Sequence, residues 1–169
     1  MKLWVPVSVV AVGLAVIGYG IFGRSSDEEQ ILERLDLLAQ TIRQEESDTN
    51  PVVRGARINS VFVDLFTKQV SVRIPDLAEI GSDRRDLAGA AAQVGARYRT
   101  AHVRFESAKV DLDPSKVSAG VTTQATLNAL GHDGELRRDT RGVKLQLDKV
   151  DGDWRIVSIT VAPRDGEGE

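Results

Sequence analysis

VKLQLDKVDGDWRIV, residues 143–157, decides the fold of this chain. Val143, Leu145 and Leu147 alternate with Lys144, Gln146 and Asp148, and beyond the turn Trp154 and Ile156 resume the two-residue spacing. Between the arms stands Asp151-Gly152. An Asp-Gly pair flanked by alternating residues is a strong hairpin signal, because the tight turn that matches strand twist needs positive φ at both central residues. Period-2 alternation with one apolar and one polar face describes antiparallel strands buried on one side.

The same pattern extends upstream. Lys116 to Leu130 sets Val117, Ala119, Val121, Thr123, Ala125 and Leu127 against Ser118, Gly120, Thr122, Gln124 and Thr126. Tyr98 to Leu112 alternates around Val103 and Phe105, but its later apolar residues, Val110 and Leu112, fall on the opposite parity, which predicts a bulge at Ser107-Ala108. Asp113-Pro-Ser-Lys116 reads as a turn and Gly131-His-Asp-Gly134 as a loop, followed by a polar lead-in from Glu135 to Thr140 and a strand from Thr140 to Val150. Trp154 to Val161 is the closing strand, and the polar, glycine-rich stretch 163–169 is expected to be a disordered tail.

Helical periods dominate before residue 97. Ser26 and Glu29 form a Ser-x-x-Glu capping box, and Ile31, Leu35, Leu38 and Ile42 mark one face of an amphipathic helix expected from Asp27 to Glu46. Asp48-Thr-Asn-Pro51 breaks it. A second helix over Pro51–Leu65 carries Val53, Ile58, Val61, Phe62 and Leu65. Gln69–Ile74 reads as a short strand ended by Pro75, and Ser82 or Asp83 caps a third, Ala-rich helix reaching Ala96.

Two helices, a short strand, a helix and a run of long antiparallel strands, written α-α-β-α-β-β-β, form an α+β order that resembles the NTF2-like, or cystatin-like cone, superfamily with its SnoaL-like and ketosteroid-isomerase-like members. Leu65-Phe-Thr-Lys-Gln-Val-Ser-Val-Arg-Ile-Pro75 looks like that family's first short strand after helix two, and the 143–157 stretch is similar to its closing hairpin with a Gly-x-Trp-x-Ile phrase. The resemblance spans Asp27 to Val161 within a domain placed at residues 24–162. It implies about three helices packed on a curved, mostly antiparallel sheet, a cone-shaped cavity open at one end, and dimerisation through the outer face of the sheet. Fold alone does not choose among the family's isomerases, dehydratases, cyclases and binding proteins.

Leu3 to Gly23 is an unbroken uncharged stretch followed by Arg24-Ser-Ser-Asp-Glu-Glu. A helix rising 1.5 Å per residue crosses a hydrocarbon core of about 30 Å in about 20 residues. Residues 1–23 are therefore expected to form a transmembrane anchor, or an uncleaved signal. A cleaved signal normally has an apolar core of about 7–15 residues and small residues at the cut, and Gly20-Ile-Phe-Gly-Arg24 departs from that. Lys2 against Arg24 leans toward an N-in, C-out orientation, with the domain periplasmic or otherwise non-cytosolic. Gly18, Gly20 and Gly23 spell GxGxxG, but without a βαβ context the motif carries no dinucleotide site.

The chain has 169 residues, a net charge of -3, no cysteine and two histidines. That balance argues against a nucleic-acid partner, and the missing cysteines exclude disulfides, thiol catalysis and thiolate metal sites. HExxH, Walker and GxSxG motifs do not occur. No catalytic, cofactor-binding or metal residue is assigned, and no cofactor is expected. His102, Arg104 and Glu106 share one strand face opposite Val103 and Phe105. That face is expected to be solvated or dimer-facing, an acid/base trio inside the cone being the alternative. His132 falls at a loop tip. Arg137, Arg138 and Arg141, diluted by Asp133, Glu135 and Asp139, read as a solvated hairpin. Thr122, Gln124 and Thr126 offer a neutral surface for a sheet-to-sheet dimer, and Trp154 reads as a core anchor. The expected function is a membrane-anchored, non-catalytic module binding a small apolar ligand or a protein partner. The alternative is a SnoaL-like or ketosteroid-isomerase-like enzyme acting on a hydrophobic molecule, with His102 and Glu106 as its candidate groups.

Overall fold

Asp151 and Gly152 take φ of 54° and 91°, the left-handed pair that a tight two-residue turn requires, and the long strands are organised around that hairpin. A computed structural model describes residues 26–75 and 83–163. The expectations for residues 1–23, for Ser82 as a cap and for 164–169 lie outside the described residues.

Helix α1 runs Asp27–Ile42 and α2 Pro51–Leu65. Strand β1 is Phe66–Arg73, and the short helices α3 and α4 are Arg84–Ala92 and Val94–Arg97. Strands β2 (Tyr98–Leu112), β3 (Ser118–Gly131), β4 (Leu136–Val150) and β5 (Asp153–Val161) complete the order. The sheet order is β1-β5-β4-β3-β2, with β1 parallel to β5 and every other pair antiparallel. The expected order is thus one strand short, because the closing hairpin contributes two strands after β3. The fold class, α+β with helices on one face of a curved antiparallel sheet, agrees with the expectation.

Local chemistry sets the element ends. In the capping box at α1, Ser26 N–H donates to Glu29 Oε2 at 2.8 Å and Glu29 N–H to Ser26 Oγ at 3.1 Å. The helix stops at Ile42, short of the expected Glu46. Gln44 leaves it to bridge the edge of β2, exchanging backbone bonds with Ala101 at 2.8 and 3.0 Å. Asn50 caps α2 and Pro51 opens it, where its missing N–H costs nothing. Asp83 caps α3 by accepting from the Arg85 N–H at 2.8 Å. The strand expected from Gln69 starts at Phe66, directly after α2, because Phe66 is drawn into the core against Phe62 with ring centroids 4.8 Å apart.

One core position departs from the apolar pattern. Val53 is 65% exposed, and α2 turns Arg54, Ile58, Phe62 and Leu65 inward instead. Arg54 is 3% exposed and donates to the carbonyls of Ala91 (3.0 Å), Ala92 (2.8 Å) and Ile42 (3.2 Å). It thereby ties the carboxyl ends of α1 and α3 to α2. Trp154 is fully buried as expected, and its indole N–H donates to Asp27 Oδ1 at 3.0 Å.

Candidate functional site

The concave face of the sheet and the helices laid across it enclose a cavity of about 410 Å³, open on one side. Helices α1 and α2 supply Leu38, Ile42 and Phe62, while α3 and α4 supply Leu87, Ala90, Ala91 and Val94. From the sheet come Phe66, Val103, Phe105, Ala125, Leu127, Val143, Ile159 and Val161, with Ile74 just beyond β1. Among the described residues only two that line it are not apolar, Asp139 and Arg141 of β4.

These two charges are the site's distinguishing chemistry. Arg141 Nε–H donates to Asp139 Oδ2 at 3.0 Å, and the Arg141 side chain is only 12% exposed. The expectation of one solvated basic cluster on this hairpin is corrected. Strand β4 begins at Leu136, so the supposed lead-in alternates with the rest of the strand and the three arginines part company. Arg137 stays at the loop with Asp133 and Glu135 at 3.0 and 3.5 Å, Arg138 lies on the outer face of the sheet, and Arg141 points into the cone. The signal was present in the two-residue period, since counting back from Val143 puts positions 141 and 139 inward. Polarity concealed it.

Antiparallel register separates the other candidates from the cavity. Val103 and Phe105 face inward opposite Leu127 and Ala125, so His102, Arg104 and Glu106 lie on the outer face opposite Asn128, Thr126 and Gln124. His102 lines a different depression at the edge of β2, a groove of about 570 Å³ bordered also by Gln40, Arg43, Arg104 and Asn128. His132 is exposed in its loop, with a ring nitrogen 3.3 Å from the Gly95 carbonyl. Among the described residues, no group of three or more His, Asp or Glu side chains is arranged to hold a metal ion.

A carboxylate engaged by a guanidinium and walled by aliphatic and phenyl groups provides one anion and one cation fixed at the end of a hydrophobic slot. Such a pair orients a polar group on a bound molecule. General acid–base chemistry would need a second proton-transfer partner in reach, and among the described residues no other titratable side chain lines this cavity.

Helices packed on one face of a curved five-stranded sheet around such a cavity define an NTF2-like, cystatin-like fold. Among solved structures, an NTF2-like superfamily protein from Salmonella enterica serovar Typhimurium matches over 85% of this chain and 97% of its own, with TM-score 0.66 and 15% identity. An NTF2-like protein with a cystatin-like fold from Novosphingobium aromaticivorans matches over 98% and 95%, with TM-score 0.64 and 13% identity. A candidate aromatic ring hydroxylase from the same organism matches over 84% and 95%, with TM-score 0.64 and 13% identity. No family model matches the sequence, and no curated protein matches it. At these identities the likeness is one of fold.

Proposed function

We propose that this chain is a non-catalytic binding module for a small apolar molecule bearing one polar end, displayed from a membrane by residues 3–23. The observation that carries the reading is the cavity of about 410 Å³, which among the described residues is apolar except for the Asp139–Arg141 pair. That volume lies within the range of about 300–1,000 Å³ common for small-ligand sites. The ligand's apolar body would lie against Phe62, Phe66, Phe105 and Leu127, with its polar end at the ion pair. An N-in, C-out anchor would hold the domain on the periplasmic or another non-cytosolic side, within reach of molecules that partition into the bilayer.

Binding is favoured over catalysis because Asp139 and Arg141 engage each other, while His102 and Glu106 stand on the other side of the sheet. The full chain in lipid nanodiscs, titrated with the fluorescent anion anilinonaphthalene sulfonate, tests this. Saturable binding that Leu127→Trp abolishes is the expected result. A probe that ignores Leu127→Trp, or turnover of a hydrophobic substrate lost with Asp139→Asn, would overturn it.

A further inference from the structure

The sheet face turned away from the helices is not covered by any described element, and its charge is opposite to that of the molecule. Directly opposed residues of neighbouring strands share a face, so the register fixes its membership. One row reads Lys109, Thr122, Lys144, Thr160 and Arg73 across all five strands, and a second reads Arg104, Thr126 and Thr140. Arg138 lies opposite Asn128, and Arg155 lies opposite Asp148. Six Arg or Lys side chains thus share this face with four acids, Glu106, Asp111, Asp148 and Asp153, the last at its end beside the turn. The face carries +2 (six less four) on a chain of net charge -3, which leaves -5 for the rest.

The cations are arranged as well as abundant. Arg104 and Lys109 on β2 and Arg138 and Lys144 on β4 flank β3, whose own outward residues are the neutral Gly120, Thr122, Gln124, Thr126 and Asn128. Strand spacing places the two flanking rows about 10 Å apart. The floor dips at Thr126, which is 3% exposed with its hydroxyl 3.1 Å from that of Thr140. The four flanking cations are exposed, and among the described residues none of them forms an ion pair.

We propose that this face docks an extended acidic segment of a partner protein, lying along β3 between the two rows of cations. An extended peptide leans successive side chains to opposite sides at about 3.4 Å per residue. A run of about six residues rich in Asp and Glu would therefore address both rows at once. A second copy of this chain would bring another surplus of positive charge against the first. A long nucleic acid would extend past the face toward the negative remainder of the molecule.

The test uses the full chain in nanodiscs of zwitterionic lipid and a fluorescein-labelled hexaglutamate peptide, read by anisotropy. Saturable binding that weakens as salt rises is expected, with the double variant Arg104→Glu/Arg138→Glu losing affinity about tenfold or more. The control Arg85→Glu, on α3, should bind as the parent does, and circular dichroism confirms that each variant is folded. Binding no stronger than that of hexaglycine would overturn the proposal, as would a double variant that binds normally. Tighter binding of an oligothymidylate or of phosphatidylserine vesicles through Arg104 and Arg138 would replace the acidic peptide with that occupant. A dimer in sedimentation that dissociates in the double variant would assign the face to self-association instead.

Discussion

Two charged residues hold this fold together where the apolar pattern alone would not. Arg54 sits on the buried face of α2, and its guanidinium meets carbonyls at the last turns of α1 and α3, where a helix end runs short of its own N–H donors. Burial pulls its pKa below the ordinary arginine value, yet a guanidinium remains charged at physiological pH. Arg54→Met keeps most of the volume and strands those carbonyls, so urea denaturation should show a loss of about 2–3 kcal/mol. Arg54→Lys should recover less than half of it, since an ammonium cannot fork between two helix ends. Asp27 performs a comparable task at the opposite end of α1. Its Oδ1 accepts from Lys149 Nζ at 2.5 Å and from Trp154 Nε1 at 3.0 Å, tying the segment that follows the apolar stretch to the closing hairpin. Hydrogen bonds from Lys149 and then Trp154 hold its carboxyl below the usual 3.8. The unfolded chain therefore binds this proton more tightly. The contribution is complete above about pH 5 and is lost as pH falls through the folded value. Asp27→Asn should melt below the parent at pH 7, and the gap in melting temperature should narrow as pH falls below about 4.

Strand β2 shows how one residue reconciles two halves of an element. Its inward apolar residues are Val103 and Phe105 before the bulge and Val110 and Leu112 after it, odd positions and then even ones. A strict two-residue period would force one pair outward. The register shift between Glu106 and Lys109 supplies the extra residue, with Ser107 at φ 55°. Thr123 Oγ1 then donates to the Glu106 carbonyl at 2.9 Å, beside the interrupted ladder. Ser107→Gly relieves a left-handed conformation and should raise stability by up to about 1 kcal/mol in chemical denaturation. Deleting Ser107 should instead abolish the cooperative transition, because half of β2 would present its apolar side to water. The bulge was legible from parity alone, as were the capping box, the Asp151-Gly152 turn and the limits of α2. The stop of α1 at Ile42 was not legible, since it depends on Gln44 reaching the distant Ala101. The inward turn of Arg54 was hidden for a related reason. Helical periodicity marks a buried stripe only where its residues are apolar, and here carbonyls from two other helices make an arginine the residue that fits.

Across the whole molecule, the cone as an architecture could be read from element order, whereas its contents could not. Alternation identifies a face but not which face is concave, and reading inward positions by hydrophobicity leaves out Asp139 and Arg141 by construction. The same logic placed His102 correctly on the outer face while leaving the opposite charge sign of that face invisible, because the signal is spread over five strands that only pairing brings together. An open cavity is also a thermodynamic feature of the molecule. Its lining side chains lack partner atoms on one side, so filling the space should stabilise the empty protein, and a ligand should do so by mass action. At about 100 times its dissociation constant a ligand adds about 2.7 kcal/mol to stability. Ala125 lines the cavity beside Leu127. Ala125→Leu would place up to three extra carbons in the void, worth about 1 kcal/mol after imperfect packing, which should raise the melting temperature by about 3 °C. The same substitution should shrink the rise produced by the bound probe, since protein and ligand then compete for one space. A variant that melts lower and still responds fully to the probe would mean that the space beside Ala125 is already filled by motions of the native core, and that the ligand binds elsewhere.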